Sequence, residues 1–340
     1  MSEIRLDPAS LLHLLWNGSK AVEVVQVASD LGILAALEEG EARLGDLAAR
    51  FELLPLRLFK LLDCLESLQL VERTFEGDVP ADTRYRAVEG VRAAAERVLG
   101  PASIERDRDR QPWRTVEGRL PELLRGGYEV PRECFDWPPS TDEQVASFER
   151  SMTAGIGPFR ESFVANAPAL FAGAGRWLDV GGGDGSLAAA VLERSPALRA
   201  DVFNLPAVGP LVERVRAGSA AGARLGFVAG DFLAAPLPGG YDVISFVRVL
   251  HDWPTDVALR LVAAARDALR PGARIAICEE FRTPRRLAAQ FFWSYFLVGV
   301  DRCVSRLRDV DFYVEALGRH GFVDVRVLPG PMEIVVGTRA

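Results

Sequence analysis

Trp177-Leu178-Asp179-Val180-Gly181-Gly182-Gly183-Asp184-Gly185-Ser186 is the stretch on which the fold turns. Its first four residues read as the end of a short apolar strand, and Ser186 opens the helical segment SLAAAVLER. A strand that passes through a glycine turn into a helix is the opening unit of an open α/β sheet. Such sheets bind their ligands outside the carboxyl ends of the strands. Glycines at 181, 183 and 185 let the backbone approach a ligand with no Cβ in the way. Asp179 puts a carboxylate at the same edge, where it can attract a cationic group.

Working outward from this loop, short apolar runs alternate with helical ones. RWLDV, ADVFN, LGFVA, YDVISFV and ARIAICEE read as strands, with AVGPLVERVR and TDVALRLVAAARDAL as helices between them. The alternation predicts a Rossmann-like, doubly wound α/β fold with a mostly parallel sheet. FVDVRVL and MEIVVGT, separated by Pro329-Gly330-Pro331, predict an antiparallel C-terminal hairpin at the sheet edge and bring the strands to seven. Toward the N-terminus the rhythm is helical: from Leu11 to Leu37 and from Leu44 to Leu70, apolar residues recur at spacings of three and four. Pro55 suits the first turn of a helix, and Val71-Glu72-Arg73 and Tyr85-Arg86 flank a polar turn at Gly77-Asp78. Helix, turn, helix and wing make a winged-helix-like pattern. The predicted division is a helical, winged-helix-like domain over 1–105, a helical linker over 106–165 and a Rossmann-like domain over 166–340.

Charge argues against nucleic acid as the partner of the winged helix. Residues 1–100 carry 11 Arg and Lys against 17 Asp and Glu, and the whole chain of 340 residues has a net charge of −7. A DNA reader needs a basic face to displace counterions. The apolar stretches are interrupted by charges too often to span a bilayer. The start, MSEIRLDPAS, has no basic segment leading into an apolar one, so the cytosol is the predicted location. Cys64, Cys134, Cys278 and Cys303 form no C-x-x-C pair, which argues against a zinc knuckle or a redox motif.

A glycine loop alone is weak evidence for a particular cofactor. Gly183-x-Gly185-x-x-Ala188 passes a loose dinucleotide pattern, which keeps a nicotinamide oxidoreductase in view. The acid before the glycines has no place in that fingerprint, and the G-x-G-x-G spacing leaves little room for a pyrophosphate. Both features favour S-adenosylmethionine.

Five segments in order, LDVGGGDGSL, NLPAV, GDF, VLHDW and PGARIAICEE, after a helical first half, resemble the small-molecule O-methyltransferases of plants and bacteria. These include the caffeate, flavonoid and polyketide-tailoring enzymes, and the likeness covers nearly the whole chain. The resemblance implies S-adenosylmethionine as cofactor, no metal, a homodimer and a small aromatic hydroxyl acceptor. For the three predicted segments it implies dimerisation for 1–105, a share of the substrate cleft for 106–165 and catalysis for 166–340. It implies that Asp179, Gly181 and Gly183 hold the methionine end of the cofactor, that Asn204 lies by the ribose, that Asp231 and Phe232 take the adenine, that Leu205 is a further cofactor-binding residue, and that Arg248 is a basic cofactor-side residue. The family usually has an acid where this chain has Asn204, and an amide offers one acceptor oxygen and one NH₂ where a carboxylate offers two acceptors. On this reading Asn204→Asp should tighten cofactor binding or leave it unchanged.

His251 is the candidate catalyst. The chain has three histidines; His13 sits in an apolar helix and His320 near a helix end, both in structural settings. His251 ends a strand, in Leu250-His251-Asp252-Trp253, at the edge that carries the glycine loop. A phenol titrates near 10 and an imidazole near 6.5, so the imidazole can serve as general base. By the resemblance, Glu279 orients His251, and Asp301 matches a second acid that is commonly Glu. Met152 matches a methionine of the acceptor pocket, and Trp293 and Phe296, three apart in an aromatic run, share a helical face that could wall it. Transfer to N or C, a homologue that binds the cofactor without transferring methyl, and a small-molecule-sensing winged-helix regulator remain as alternatives.

Overall fold

The computed structural model describes residues 7–101, 103, 118–132, 137–283, 286, 290–291, 294–295, 300 and 306–340. It begins with helices α1 (Pro8–Trp16), α2 (Gly18–Asp30) and α3 (Ile33–Glu39). A two-residue strand, β1 (Ala42–Arg43), leads into α4 (Leu44–Arg50) and α5 (Pro55–Ser67), with Pro55 in the first turn of α5, where its missing N–H costs nothing. β2 (Val71–Phe75) pairs antiparallel with β3 (Arg84–Ala87), and β1 adds on the far side of β3. α6 (Val91–Leu99) follows. Leu34, Leu37, Leu44, Leu58, Leu62 and Leu65, the apolar positions of the helical periodicity, are buried together as a core. The arrangement is a helix-turn-helix with a β-wing. The chain divides into two compact units, 1–111 and 112–340.

The second unit opens with α7 (Asp142–Ala154) and α8 (Gly157–Leu170), then alternates: β4 (Arg176–Val180), α9 (Ser186–Arg194), β5 (Arg199–Asn204), α10 (Gly209–Gly218), β6 (Leu225–Ala229), β7 (Val243–Val247), α11 (Thr255–Ala268) and β8 (Arg274–Cys278). It ends with α12 (Val310–Arg319), β9 (Phe322–Leu328) and β10 (Ile334–Arg339). The sheet has seven strands in the order β6-β5-β4-β7-β8-β10-β9. The first five in that order run parallel, and β10 pairs antiparallel with both β8 and β9. This is the predicted doubly wound sheet with its C-terminal hairpin.

Strand alternation sorts side chains to the two faces. Trp177, Val243 and Val247 meet α8, α9 and α10 on one side, while Leu178, Val180, Ile244 and Phe246 meet α11 and α12 on the other. With both faces covered, β7 is buried at every position, which is why VISFV reads as a continuous run. Among the described residues no helix is long and apolar enough to cross a membrane, and no group of three or more His, Cys, Asp and Glu could hold a metal ion.

Candidate active site

β4 and β7 lie side by side, yet the chain leaves them toward opposite edges of the sheet. Between them opens the crevice where doubly wound folds bind ligands. The glycine loop lines it. Gly181 has φ +69°, and a Cβ there would come within 2.7 Å of Val249 Cγ2 at the end of β7. A Cβ on Gly182 would lie 2.5 Å from Asp179 Oδ2, so the loop folds directly over that carboxylate.

Asp179 is reached by a short relay. Strand pairing sets it opposite Ser245. Trp177, two residues earlier and therefore on the same face, donates from Nε1 to Ser245 Oγ at 2.7 Å, and Ser245 donates to Asp179 Oδ1 at 2.6 Å. The acid is 1% exposed. Burial pushes its carboxyl up to about 7, and the Ser245 hydroxyl offsets part of that rise.

Asp179 and the glycine loop border a cavity of about 270 Å³, and the other candidate cofactor residues reach it from neighbouring strand ends. Asn204, the last residue of β5, accepts the Leu205 N–H at 2.8 Å and donates its Nδ2 to Glu149 Oε1 at 3.0 Å. Asp231 follows β6, is exposed and accepts from the Leu233 N–H in a tight turn. Phe232 lines the cavity and also packs edge-on against Trp253, with ring centroids 5.8 Å apart. Arg248 has φ +58°, and its guanidinium turns to the end of α7, donating to the Met152 carbonyl at 2.7 Å and touching Met152 Sδ at 3.2 Å. Met152 and Arg248 both line the cavity.

Beyond β7 the chain makes a single 3₁₀ turn, Leu250–Asp252. Arg308 Nη1 and the Arg306 N–H hold it, donating to the carbonyls of Leu250 and His251. His251 is 1% exposed, with Nδ1 at 2.6 Å from Glu279 Oε2 and Nε2 at 3.3 Å from Asp252 Oδ1. The other oxygen of Glu279 accepts the N–H groups of Val249 and Leu250 at 3.0 and 2.8 Å, which fixes the acid from the end of β8. Burial pulls the imidazole down, but the Asp252 and Glu279 charges outweigh it and raise His251 to about 10. Asp252 and Trp253 line the cavity.

The structure thus gathers Asp179, Gly181, Gly183, Asn204, Leu205, Asp231, Phe232, Arg248 and Met152 around one cavity, and it brings His251 and Glu279 into contact. Trp293, Phe296 and Asp301 lie outside the described residues. Glu149, Ser245 and Asp252 are among the polar residues of the site to which the sequence assigns no role. Glu149 could have been found from Met152, one helical turn away on the same face. Ser245 stands inside an apolar strand, where a lone hydroxyl asks for a partner. Asp252 stands inside VLHDW, where spacing alone does not reveal its contact with His251.

Fold and site together define a doubly wound α/β protein with a glycine-lined cavity at the point where the strand order reverses. The model of the O-methyltransferase domain matches residues 131–318, more than half of the sequence, and the chain belongs to that family. Among curated relatives it is 27% identical to the mitomycin biosynthesis 6-O-methyltransferase of Streptomyces lavendulae, over 95% of this chain and 93% of that protein. It is 29% identical to the 3-amino-4-hydroxybenzoate 4-O-methyltransferase of Streptomyces cremeus, over 94% and 86%. It is also 27% identical to the N,N-dimethyltransferase OxyT of Streptomyces rimosus, over 92% and 90%. Among solved structures, the apo form of the S-adenosylmethionine-dependent methyltransferase SibL superposes with a TM-score of 0.69 at 25% identity, covering 97% of this chain and 99% of that one.

Proposed function

We propose that this protein is an S-adenosylmethionine-dependent O-methyltransferase that methylates a hydroxyl of a small aromatic acceptor, with His251 as general base. The observation that carries the reading is Asp179. A carboxylate held out of water beside a glycine-lined cavity, with only part of its burial offset, is matched by a ligand that brings a positive charge. The residues present fit S-adenosylmethionine: Asp179 for the cationic methionine end, the Asn204 region for the ribose, and Asp231 with Phe232 for the adenine. When bound, the cofactor supplies a methyl group on a sulfonium that is already activated for in-line displacement.

The protein's share is to exclude water, align the acceptor oxygen and take its proton. Trp137, Phe148 and Trp253 form an aromatic wall of the cavity, with Trp137 5.2 Å from Phe148 and 5.5 Å from Trp253 between ring centroids. Such a wall suits a planar acceptor, in keeping with the hydroxybenzoate relative. Nε2 of His251 makes the longer of its two carboxylate contacts, to Asp252, which itself lines the cavity. The N-methylating relative marks the second reading. The His251–Glu279 pair favours a hydroxyl, because an amine attacks as its neutral form and needs no base beforehand.

With His251 raised to about 10, the imidazole carries its proton at neutral pH and becomes able to accept one as pH rises. The expected result is a kcat/KM that climbs with pH toward a midpoint that stays fixed across phenols of graded acidity and moves down in Glu279→Gln. His251→Ala should lower kcat by about 10² to 10⁴ with cofactor affinity little changed. The loss should be smaller for more acidic phenols and smaller in Glu279→Gln than in the alanine variant. If the alanine variant keeps most of its activity, and the midpoint follows each phenol's own pKa, alignment alone carries catalysis and His251 is not the base.

Assembly as a homodimer through the N-terminal helices belongs to the same proposal. α1 buries none of its residues, and Leu12, Leu15 and Trp16 are 65%, 65% and 85% exposed. Apolar side chains contiguous on one helix are a surface that seeks a partner, and a second copy of the chain is the partner the family resemblance implies.

A further inference from the structure

We propose that Glu149, reaching across from α7, supplies the carboxylate missing at the end of β5, and that Glu149 and Asn204 together form the acceptor site for the cofactor's ribose diol. The inference rests on the cofactor reading given above.

In doubly wound folds an acid about 20 residues past the glycine turn, near the end of the second strand, accepts from a ribose hydroxyl. Here that place belongs to Asn204, which closes β5. Its amide is already committed: Oδ1 accepts the Leu205 N–H at 2.8 Å and Nδ2 donates to Glu149 Oε1 at 3.0 Å. By itself Asn204 therefore keeps only one lone pair on Oδ1 and one N–H on Nδ2 for two hydroxyls. The carboxylate it holds has much more. Glu149 is 8% exposed and lines the cavity, and a Cβ built on Gly183 would lie 3.1 Å from its Oε2. One oxygen is thus tied to Asn204, and the other sits over the glycine loop. An acid beside an amide is a donor–acceptor pair suited to a vicinal diol. Burial pushes Glu149 up to about 7, with the Asn204 bond offsetting part of the rise and Asp184 adding to it. A hydroxyl donor would relieve that strain.

This geometry reverses the expectation for Asn204→Asp. A second carboxylate 3 Å from Glu149, out of water, forces the two acids to share a proton or repel, so the substitution weakens binding. The pair can instead be exchanged. Glu149→Gln/Asn204→Asp keeps one acid and one amide and swaps their positions.

The test is calorimetric titration at pH 8 with S-adenosylhomocysteine and its 2′-deoxy and 3′-deoxy analogues. Wild-type protein should bind S-adenosylhomocysteine more tightly than either analogue. Glu149→Gln should lose about 10- to 100-fold in affinity for S-adenosylhomocysteine and most of its discrimination against the analogues. Asn204→Asp should bind more weakly than wild type, and the swapped double variant should recover affinity over Glu149→Gln. Unchanged affinity and discrimination in Glu149→Gln, or a tighter Asn204→Asp, would overturn the assignment. A double variant no better than Glu149→Gln would overturn the shared subsite. A wild-type protein that does not bind S-adenosylhomocysteine at all would instead overturn the cofactor reading.

Discussion

Asp179 is held by its neighbours in a state that water would not permit. In the unfolded chain this acid ionises around its ordinary value of 3.8; in the fold, burial moves it to about 7. The folded state therefore keeps a proton that the unfolded state releases, and the stability this brings is present below pH 4 and lost as pH rises through 7. Asp179→Asn keeps an acceptor for the Ser245 hydroxyl and removes the charge. At pH 8 it should melt at or above the wild-type temperature, and its melting temperature should vary less between pH 5 and 8. The same substitution, like Asp179→Ala, should abolish measurable binding of S-adenosylhomocysteine, because the ammonium loses its counter-charge. Scanning fluorimetry across pH reads the first effect and calorimetry the second. Retained affinity would mean that Asp179 serves the core and not the ligand.

α7 shows how one element carries several parts of the site. Glu149 and Met152, one turn apart, both face the cavity, so their positions depend on how firmly the helix is started. Its N-terminus is a complete capping box. Thr141 Oγ1 accepts the Gln144 N–H at 3.2 Å, and Gln144 Oε1 accepts the Thr141 N–H at 3.1 Å. Thr141→Ala should cost about 1 kcal/mol of stability in urea unfolding. Its effect on S-adenosylhomocysteine affinity should stay well below that of Glu149→Gln, since fraying at the first turn leaves Glu149 two turns away. Equal losses in the two variants would mean that the cofactor reads the placement of the helix and not its acid.

For the whole molecule, the exposed face of α1 sets the expected assembly. An obligate dimer buries more than about 2,000 Å² in total and draws on apolar residues of this kind. Light scattering at micromolar concentration should report twice the chain mass, and Leu12→Glu/Leu15→Glu should shift the protein toward monomer or aggregate. A wild-type monomer at that concentration contradicts the proposed homodimer.

Periodicity made much of this protein readable from its residues. Strand and helix alternation from Arg176 onward, the hairpin around Pro329-Gly330-Pro331 and the helical first half are local patterns, because burial on one or both faces dictates which positions are apolar. The order of motifs likewise led to the glycine loop, Asn204, Asp231 and His251, all of which sit at strand ends where a doubly wound sheet opens. What the residues alone could not convey are contacts between elements far apart in sequence. Glu149 meets Asn204 across 55 positions, Ser245 meets Asp179 across 66, and only packing of α7 over the sheet edge and pairing of β4 with β7 bring them together. The protonation of His251 belongs to the same class. An imidazole ordinarily near neutrality is raised to about 10 because a turn at 250–252 and the end of β8 close two carboxylates around it, at distances that no spacing in the chain encodes.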